Sequence, residues 1–391
     1  MSDSRVINSL RLPLALCIIM IHMHMEPSGT TIGWGSLGSL DIWRIFACVS
    51  INELAAIAVP LFFMMSGFLF FYRTEWNSAV FVGKLRRRVR SLLVPYVLFC
   101  LLAVVGLVVN YAMSGHSWAQ SLHLYLGDGK WLHNFWDVHT TGTNTNLLGI
   151  SKPISYPINI PLWFIRDLMV IVLMTPIIHL AIRRLRWGWL LLMTALSISG
   201  VWIPLVGFSP SSVLWFSVGA WFSINGRSMA ATFGRLRTPL LCAALPLMVL
   251  DILTDGTPAD KYVHFAFLMT AVLAAYGMAG GKHLPSPEPL SGPHLKDEGV
   301  ADGGLIISNA AAMSFFIFAF HTLPLPLLGC RPVEWAKQLL WTGSDNGLLC
   351  IAQFIGATLL TAAVSMLVYW LLLWLCPGVL SVLTGRKRTY S

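Results

Sequence analysis

Long apolar runs with very few charges restrict the fold of this sequence more than any other feature. Residues 53–72, 92–113 and 347–375 are the clearest examples. A helix needs about 20 mostly apolar residues to cross a bilayer, and these runs are continuous rather than alternating. Charged residues make up 11% of the chain, against about 25% in a typical soluble domain. The sequence therefore predicts an all-α integral membrane protein and excludes a disordered chain or a typical soluble enzyme.

The hydrophobic pattern predicts a polytopic protein with about ten transmembrane helices. Most of the 26 Lys and Arg residues fall on one side if the N- and C-termini are both cytoplasmic, as the positive-inside rule requires. The first apolar run is predicted to be a transmembrane helix rather than a cleaved signal peptide, because no small-residue cleavage pattern follows it. The predicted helices are 7–26, 53–72, 92–113, 160–182, 187–206, 210–224, 238–253, 261–279, 306–328 and 347–375.

These helices predict a single membrane-embedded domain at residues 1–376. It has an external loop at 114–158 and a flexible, Pro- and Gly-rich cytoplasmic loop at 280–304. A short basic cytoplasmic tail at 377–391 follows. We expect membrane lipid to surround the domain.

The net charge of +9 is explained by the Lys and Arg residues that collect in the predicted cytoplasmic loops. No nucleic-acid motif accompanies this charge. Nucleic acid is therefore not an expected partner. The seven cysteines form no CxxC pair, and the His and Asp residues of 114–158 follow no standard zinc spacing. We expect no metal. Arg44 and Glu53, at the outer entry to the second predicted helix, could pair with each other and are given no role.

Arg11 and His22 are the most informative ionisable residues, because the apolar run LPLALCIIMI separates them. Over that distance an α-helix returns to within about 20° of the same face and rises about 16 Å. Arg11 should lie near the inner surface and His22 near mid-bilayer on one stripe, with His24 facing elsewhere. Ionisable residues inside a membrane are costly and are a default functional hypothesis. The alternatives are a hydrogen-bonded core histidine and an arginine that reaches the lipid headgroups.

A neutral imidazole can take a proton from a hydroxyl group, and an arginine at the cytoplasmic mouth can bind an anion. Coenzyme A carries phosphates at one end and the thioester at the other. The spacing of Arg11 and His22 therefore suits a ligand whose anionic end stays near the cytoplasm while its reactive end reaches into the membrane.

Several short segments occur in a fixed order along roughly residues 5–325. They are Arg11 with His22, 59–68 (VPLFFMMSGF), 84–90 (KLRRRVR) with 93–96 (LVPY), 161–168 (PLWFIRDL), 216–220 (FSVGA) and 316–321 (FIFAFH). Together they resemble the acyltransferase-3 family of membrane O-acyltransferases. The resemblance implies an enzyme that moves an acyl group, usually acetyl, from cytoplasmic acyl-CoA to a hydroxyl group of a carbohydrate or glycan precursor outside.

The same resemblance implies roles for particular residues. His22 matches the catalytic histidine of the family, and Arg11 matches its essential partner. Arg87 and Arg90 match a basic Arg-x-x-Arg element that is proposed to engage the CoA donor. Other basic residues crowd the same loop, so the frame of this match stays open. Ordinary positive-inside charge is the alternative interpretation.

Trp163, Arg166, Asp167 and His321 are candidates for binding the carbohydrate acceptor. On a helix, Arg166 and Asp167 follow Trp163 at i+3 and i+4, so both charges can lie beneath the indole ring. A sugar commonly binds against an aromatic face with polar groups at its hydroxyls. The alternatives are an interfacial Trp belt with a local Arg–Asp pair, and an interhelical hydrogen bond at His321.

The resemblance thus implies an O-acetyltransferase of the bacterial inner membrane that uses acetyl-CoA as donor. The main alternative is a proton-coupled secondary transporter that uses the intramembrane charges and histidines. A non-catalytic membrane assembly partner is the second alternative. Transport without CoA release would favour the transporter, and tolerance of substitutions at Arg11 and His22 would favour the assembly partner.

Overall fold

A computed structural model of the protein describes residues 3–25, 38–145, 151–201, 205–280 and 303–385. The described part is predominantly helical. Its α-helices are, in chain order, α1 Asp3–His22, α2 Ser39–Ala47, α3 Ala58–Phe71, α4 Ser78–Arg88, α5 Val94–Met113, α6 Trp118–Leu126, α7 Lys130–His133, α8 Trp163–Leu173, α9 Thr175–Leu185, α10 Trp187–Ser199, α11 Pro210–Ile224, α12 Met229–Thr254, α13 Asp260–Ala279, α14 Gly303–Phe320, α15 Pro332–Leu340, α16 Gly347–Leu375 and α17 Pro377–Leu383.

Other backbone elements join some of these helices. The π-helix Cys48–Leu54 and the 3-10 turn Ala55–Ile57 connect α2 to α3, and the π-helix Val89–Leu93 connects α4 to α5. The 3-10 turn Ile160–Leu162 precedes α8. Two of the long apolar stretches are thus continuous helical rods whose turn geometry changes along their length.

Six helical stretches of the described residues are long and apolar enough to cross a membrane, and a bent pair makes a seventh. In that pair, Ile160–Leu173 and Thr175–Leu185 meet at 62°. The described residues therefore form a multi-pass helical membrane protein. The six stretches are Asp3–His22, Ser39–Phe71, Ser78–Met113, Met229–Thr254, Asp260–Ala279 and Gly347–Leu375.

The predicted count of ten spans is not confirmed, because three of the predicted helices are short. The segments at 187–206 and 210–224 form helices of 13 and 15 residues, and α14 ends at Phe320 rather than at 328. At about 1.5 Å per residue, 13 residues reach only about 20 Å of the roughly 30 Å hydrocarbon core.

Outside the spans, one predicted loop contains regular secondary structure, and two other predicted segments lie wholly or partly outside the described residues. The predicted external loop at 114–158 contains α6, α7 and an antiparallel hairpin of β1 (His139–Thr145) and β2 (Ser151–Tyr156). A capping box between Ser117 and Gln120 starts α6. Residues 281–302 of the predicted cytoplasmic loop and 386–391 of the predicted basic tail lie outside the described residues.

A buried carboxylate joins the start of α1 to two other helices. Asp3 Oδ1 accepts hydrogen bonds from the Ala230 backbone N–H at 2.7 Å and from the Tyr276 hydroxyl at 3.0 Å. Ala230 is in the first turn of α12, where backbone donors lack intrahelical partners. Asp3 therefore satisfies the start of α12 and fixes α1 against α12 and α13.

Backbone contact between α3 and α11 forms the tightest joint of the core. A Cβ atom on Gly67 would lie 1.9 Å from Phe216 O, and one on Gly219 would lie 1.8 Å from Met64 O. Small residues permit this approach in membrane helices. The α3–α11 pair supports one wall of the region described next.

Candidate functional site

Two histidines from different helices meet in the core. His22 ends α1, and His321 follows directly after α14. Their ring centroids are 5.3 Å apart, and their planes are inclined by 45°. The Nε2 atoms of both rings are buried and have no hydrogen-bond partner among the described residues. Buried polar atoms are usually paired, so two unpaired imidazole nitrogens at one place indicate a site for a ligand.

The tautomer of His321 follows from its contact with its own helix. His321 Nδ1 lies 3.0 Å from Ile317 O. A carbonyl oxygen can only accept, so Nδ1 carries the proton and the neutral ring keeps a lone pair on Nε2. His321 can therefore accept a hydrogen bond at Nε2 while its other nitrogen holds the ring in place.

Neighbouring segments hold the end of α14 in position. Asn159 Nδ2 donates to Ala319 O at 2.9 Å, and Thr322 Oγ1 donates to Asn159 Oδ1 at 2.9 Å. The Val333 backbone N–H at the start of α15 donates to His321 O at 3.1 Å. Asn159 and Thr322 are buried. These bonds connect the backbone on both sides of His321 to two other segments, which fixes the histidine pair.

A cavity of about 280 Å³ lies on the Arg11 side of the histidine pair. Its lining is mainly apolar, from α3, α8 and α14, and it includes Phe318, one turn before His321. Arg11 and Arg88 are its cationic lining residues. Neither has an ion-pair partner among the described residues. We call this space the inner cavity; it combines an apolar channel with two uncompensated positive charges.

A groove of about 520 Å³ adjoins the inner cavity and shares Arg88 and Ser91 with it. Arg73, Lys84 and Arg87 also line this basic groove. The Lys84 ammonium donates to Thr74 Oγ1 at 2.7 Å and to Phe70 O, which satisfies much of its bonding capacity. Arg87 is exposed. The groove and the cavity together form a cationic entrance.

The two arginines of the predicted Arg-x-x-Arg element have different positions. Arg87 lines the basic groove, whereas Arg90 is exposed and lines neither the groove nor the inner cavity. Arg88, rather than Arg90, lines the inner cavity. The change from α4 to the π-helix Val89–Leu93 sets this orientation, because a π turn contains more residues than an α turn.

A second cavity, of about 210 Å³, lies on the other side of the histidine pair. Its lining includes His22, Thr322, Arg331 and Glu334, and we call it the outer cavity. The sequence predicts that the first helix continues to residue 26, but α1 ends at His22. His24 therefore lies beyond the helix, is exposed and lines the same cavity, so the expectation that it faces elsewhere is wrong.

A neighbouring cavity of about 350 Å³ shares Arg331 and Glu334 with the outer cavity. Tyr111 and Tyr125 also line it, and we call it the tyrosine cavity. Arg331 donates to Glu334 Oε1 at 3.2 Å, and both side chains are partly exposed. The aromatic rings beside a charged pair offer the contacts that a sugar requires.

The predicted acceptor residues Arg166 and Asp167 are buried in a network of protein bonds. Arg166 Nε donates to Asp167 Oδ1 at 2.9 Å, and its NH1 donates to Trp136 O at 2.5 Å and to Ser155 O at 3.1 Å. Its guanidinium lies over the Trp136 ring, 5.6 Å from the centroid, rather than over Trp163. Trp163 is partly exposed at the start of α8. The structure thus connects Arg166 to the segment at 114–158 and brings His321, not Arg166 or Asp167, to His22.

Several residues of this region escape sequence reasoning. Long-range packing gives four of these residues their positions: Asn159, Arg88, Arg331 and Glu334. Of the four, only Asn159 carries a local signal, as a polar residue just before an apolar helix.

His139, at the start of β1, is also a residue that sequence reasoning does not single out. Burial lowers the pKa of its imidazole, and the guanidinium of Arg331 lowers it further.

Comparison with known proteins identifies the family of this chain. The acyltransferase-3 family model, described as an acyltransferase domain, matches residues 5–374. The chain is similar to the succinoglycan biosynthesis protein ExoH of Rhizobium meliloti (strain 1021), with 25% identity over 401 residues, covering 97% of this chain and 92% of that protein. No solved structure matches the chain.

Proposed function

This chain belongs to the acyltransferase-3 family, and we propose that it moves an acyl group, normally acetyl, from cytoplasmic acyl-CoA to a hydroxyl group of a carbohydrate on the opposite side of the membrane. The observation that carries the proposal is the His22–His321 pair, whose Nε2 atoms have no hydrogen-bond partner among the described residues. His22 lines the outer cavity, and His321 lies one turn beyond Phe318, which lines the inner cavity. Donor and acceptor would approach the pair from opposite sides.

The inner cavity and the basic groove suit the acyl-CoA donor. Arg11 and Arg88 form no ion pair with a carboxylate of the described residues, and arginine binds phosphate through charge-assisted hydrogen bonds. Arg87 in the groove adds positive charge at the mouth. The apolar lining beyond these arginines accommodates the uncharged arm of the donor. The thioester would then lie near Phe318, next to the histidine pair.

In the reaction, the acceptor oxygen attacks the carbonyl carbon of the thioester while His22 takes the hydroxyl proton. The C–S bond then breaks, and the departing thiolate receives that proton from His22. His321 accepts a hydrogen bond at Nε2 and holds the reacting groups in place. If His22 instead carries the acyl group transiently, that group would bind to the same His22 nitrogen that takes the proton. Arg11 orients the donor.

The outer cavity and the tyrosine cavity suit the carbohydrate. The relative that matches most of this chain is named for succinoglycan biosynthesis, which supports a polysaccharide or its precursor as the acceptor. Tyr111 and Tyr125 supply aromatic faces, and Arg331 and Glu334 supply polar contacts. Arg166 acts indirectly in this scheme, because it holds the segment that carries Trp136.

The test is CoA-thiol release from acetyl-CoA by the purified protein with a total surface-glycan extract. The proposal expects release and labelling of the glycan by wild type, and loss of both in His22→Ala. His24→Ala is the matched comparison, because His24 lines the same cavity but is exposed; we expect it to keep CoA release and to change at most the KM for the glycan. If wild type releases no CoA while labelled glycan or small solutes cross the membrane, the protein is a transporter. If His22→Ala and His24→Ala both retain wild-type release, His22 is not the base.

A further inference from the structure

Three potential metal ligands from three separate helices meet away from the histidine pair. Glu53 belongs to the π-helix Cys48–Leu54, Asp251 lies near the end of α12, and His264 lies near the start of α13. One ligand atom from each residue lies within 4.8 Å of the others. Glu53 and Asp251 are only 4% and 3% exposed. None of the three lines the inner, outer or tyrosine cavity.

The two carboxylates keep unsatisfied oxygen atoms. Glu53 Oε2 and Asp251 Oδ1 are buried and have no hydrogen-bond partner within the part of the chain that the structure describes. The other oxygen of Asp251 lies 2.7 Å from His264 Nδ1. Buried carboxylate oxygens without donors are costly, so their convergence indicates a ligand that binds to oxygen.

No lysine or arginine among the described residues forms an ion pair with this cluster. Arg44, which the sequence offers as a partner of Glu53, instead pairs with Asp41 at 3.0 Å. The carboxylates of Asp255 and Asp260 add further negative potential at Glu53. His264 is the single cation-forming group in contact with Asp251 among the described ion pairs. A pair of buried carboxylates in an acidic environment needs a positive charge from elsewhere.

We propose that Glu53, Asp251 and His264 bind one divalent transition-metal ion of the zinc, manganese or cobalt class. Two carboxylate oxygens and one imidazole nitrogen form a donor set that these ions accept, with water completing the coordination. Tetrahedral ligands at about 2.1 Å from the metal lie about 3.4 Å apart. Ligand atoms that lie up to 4.8 Å apart would close on binding, by rotation of the glutamate side chain. The Asp251–His264 contact of 2.7 Å would open by about 0.7 Å as its hydrogen bond is replaced by bonds to the metal. Spacing rules do not find this site, because its ligands are far apart in the sequence.

Such an ion would connect the helical rod Ser39–Phe71 to α12 and α13. The π-helix contributes by bringing Glu53 to the α12–α13 pair, and π turns often occur at functional sites. The ion would have a structural role, distinct from acyl transfer, and would stabilise the folded chain in proportion to its free concentration.

The experiment uses the full chain in detergent, stripped with a chelator and dialysed against Zn²⁺, Mn²⁺ or Co²⁺. Bound metal is measured by mass spectrometry, and the unfolding midpoint is measured with and without the ion. We expect about one equivalent of metal per chain and a rise in the midpoint. Glu53→Gln and Asp251→Asn should lose both effects, while His264→Gln should change the visible spectrum of bound Co²⁺. Asp255→Asn is the matched control, because Asp255 is acidic and nearby but exposed.

Other results would overturn the proposal. Wild type that binds no more metal than Glu53→Gln has no site here. A rise in the midpoint that persists in Glu53→Gln and Asp251→Asn places the ion elsewhere. If Glu53→Gln is more stable than wild type and no ion binds, the two carboxyl groups share a proton instead.

Discussion

His22 and His321 lie with their ring centroids 5.3 Å apart, and neither Nε2 atom has a hydrogen-bond partner among the residues that the structure describes. They come from opposite ends of the described chain, and the packing of α1 against α14 brings them together. In His321, the two ring nitrogens have different roles. Nδ1 of His321 donates to Ile317 O and fixes the ring, which leaves the Nε2 lone pair available to a ligand.

The first prediction distinguishes the two nitrogens of His321. His321→Asn keeps a donor at the Nδ1 position but has no atom at Nε2, whereas His321→Gln places an amide group near Nε2. We expect His321→Asn to lower kcat for CoA release by about tenfold to a hundredfold, since a lost positioned hydrogen bond costs about 1–3 kcal/mol. His321→Gln should recover part of this loss. Equal kcat for wild type and His321→Asn would remove His321 from the reaction.

The second prediction concerns the choice between neighbouring arginines. Arg88→Ala should raise the KM for acetyl-CoA by about tenfold or more with a smaller change in kcat, because a charge-assisted bond to phosphate is lost. Arg90→Ala should resemble wild type, since Arg90 is exposed and outside the cavity lining. Initial-rate kinetics at varied acetyl-CoA will test this. A larger KM effect at Arg90 than at Arg88 would contradict the assignment.

The third prediction concerns Arg166. Removing its side chain leaves Asp167 buried without this partner and frees the carbonyl groups of Trp136 and Ser155. We expect Arg166→Ala to destabilise the fold by about 3–5 kcal/mol and to increase proteolysis within 114–158. Thermal unfolding and limited proteolysis measure these effects. Normal stability with a raised KM for glycan would show instead that Arg166 binds the acceptor directly.

The fourth prediction compares two helical glycines. Gly67→Ala should lower the unfolding midpoint, because the added Cβ would lie 1.9 Å from Phe216 O. Gly83→Ala in α4 meets nothing within 4 Å, and it should stabilise by up to about 1 kcal/mol through helix propensity. Opposite signs for the two substitutions are expected. Equal effects would mean that α3 and α11 do not pack at backbone contact.

The fifth prediction concerns pH. Burial and Arg331 lower the pKa of His139 below its ordinary value of 6.5. At pH values below 6.5 the unfolded chain therefore binds more protons at this position than the folded chain. The stabilising difference is complete above 6.5 and decreases as pH falls towards the folded pKa. The protection factors of the hairpin amides, which are corrected for the slower intrinsic exchange in acid, should fall on acidification in wild type, and less so in His139→Gln. An identical pH response in both proteins would refute this.

Much of the helical framework could be predicted from hydropathy alone. Gly347–Leu375 and Val94–Met113 lie within a few residues of their predicted bounds, because a bilayer span needs a long apolar run. The number of spans could not be predicted, since hydropathy does not distinguish a full span from a short buried helix such as Trp187–Ser199.

The candidate site could be predicted only in part from the sequence. The one-face argument placed Arg11 and His22 on one helix, and the resemblance named His321, but nothing local indicates that the two histidines meet. The orientation of Arg88 depends on a π-helix, which residue preferences do not reveal. Glu53, Asp251 and His264 converge only through the packing of three helices.

The inner and outer cavities share no lining residue, and His321, which lines neither of them, is wholly buried. Among the described residues, these cavities therefore form no continuous pore. In an enzyme that works across a membrane, such a barrier would let a few atoms of an acyl group change partners while CoA, ions and bulk water stay where they are. The cell could thus export chemical modification without a leak that dissipates its membrane potential.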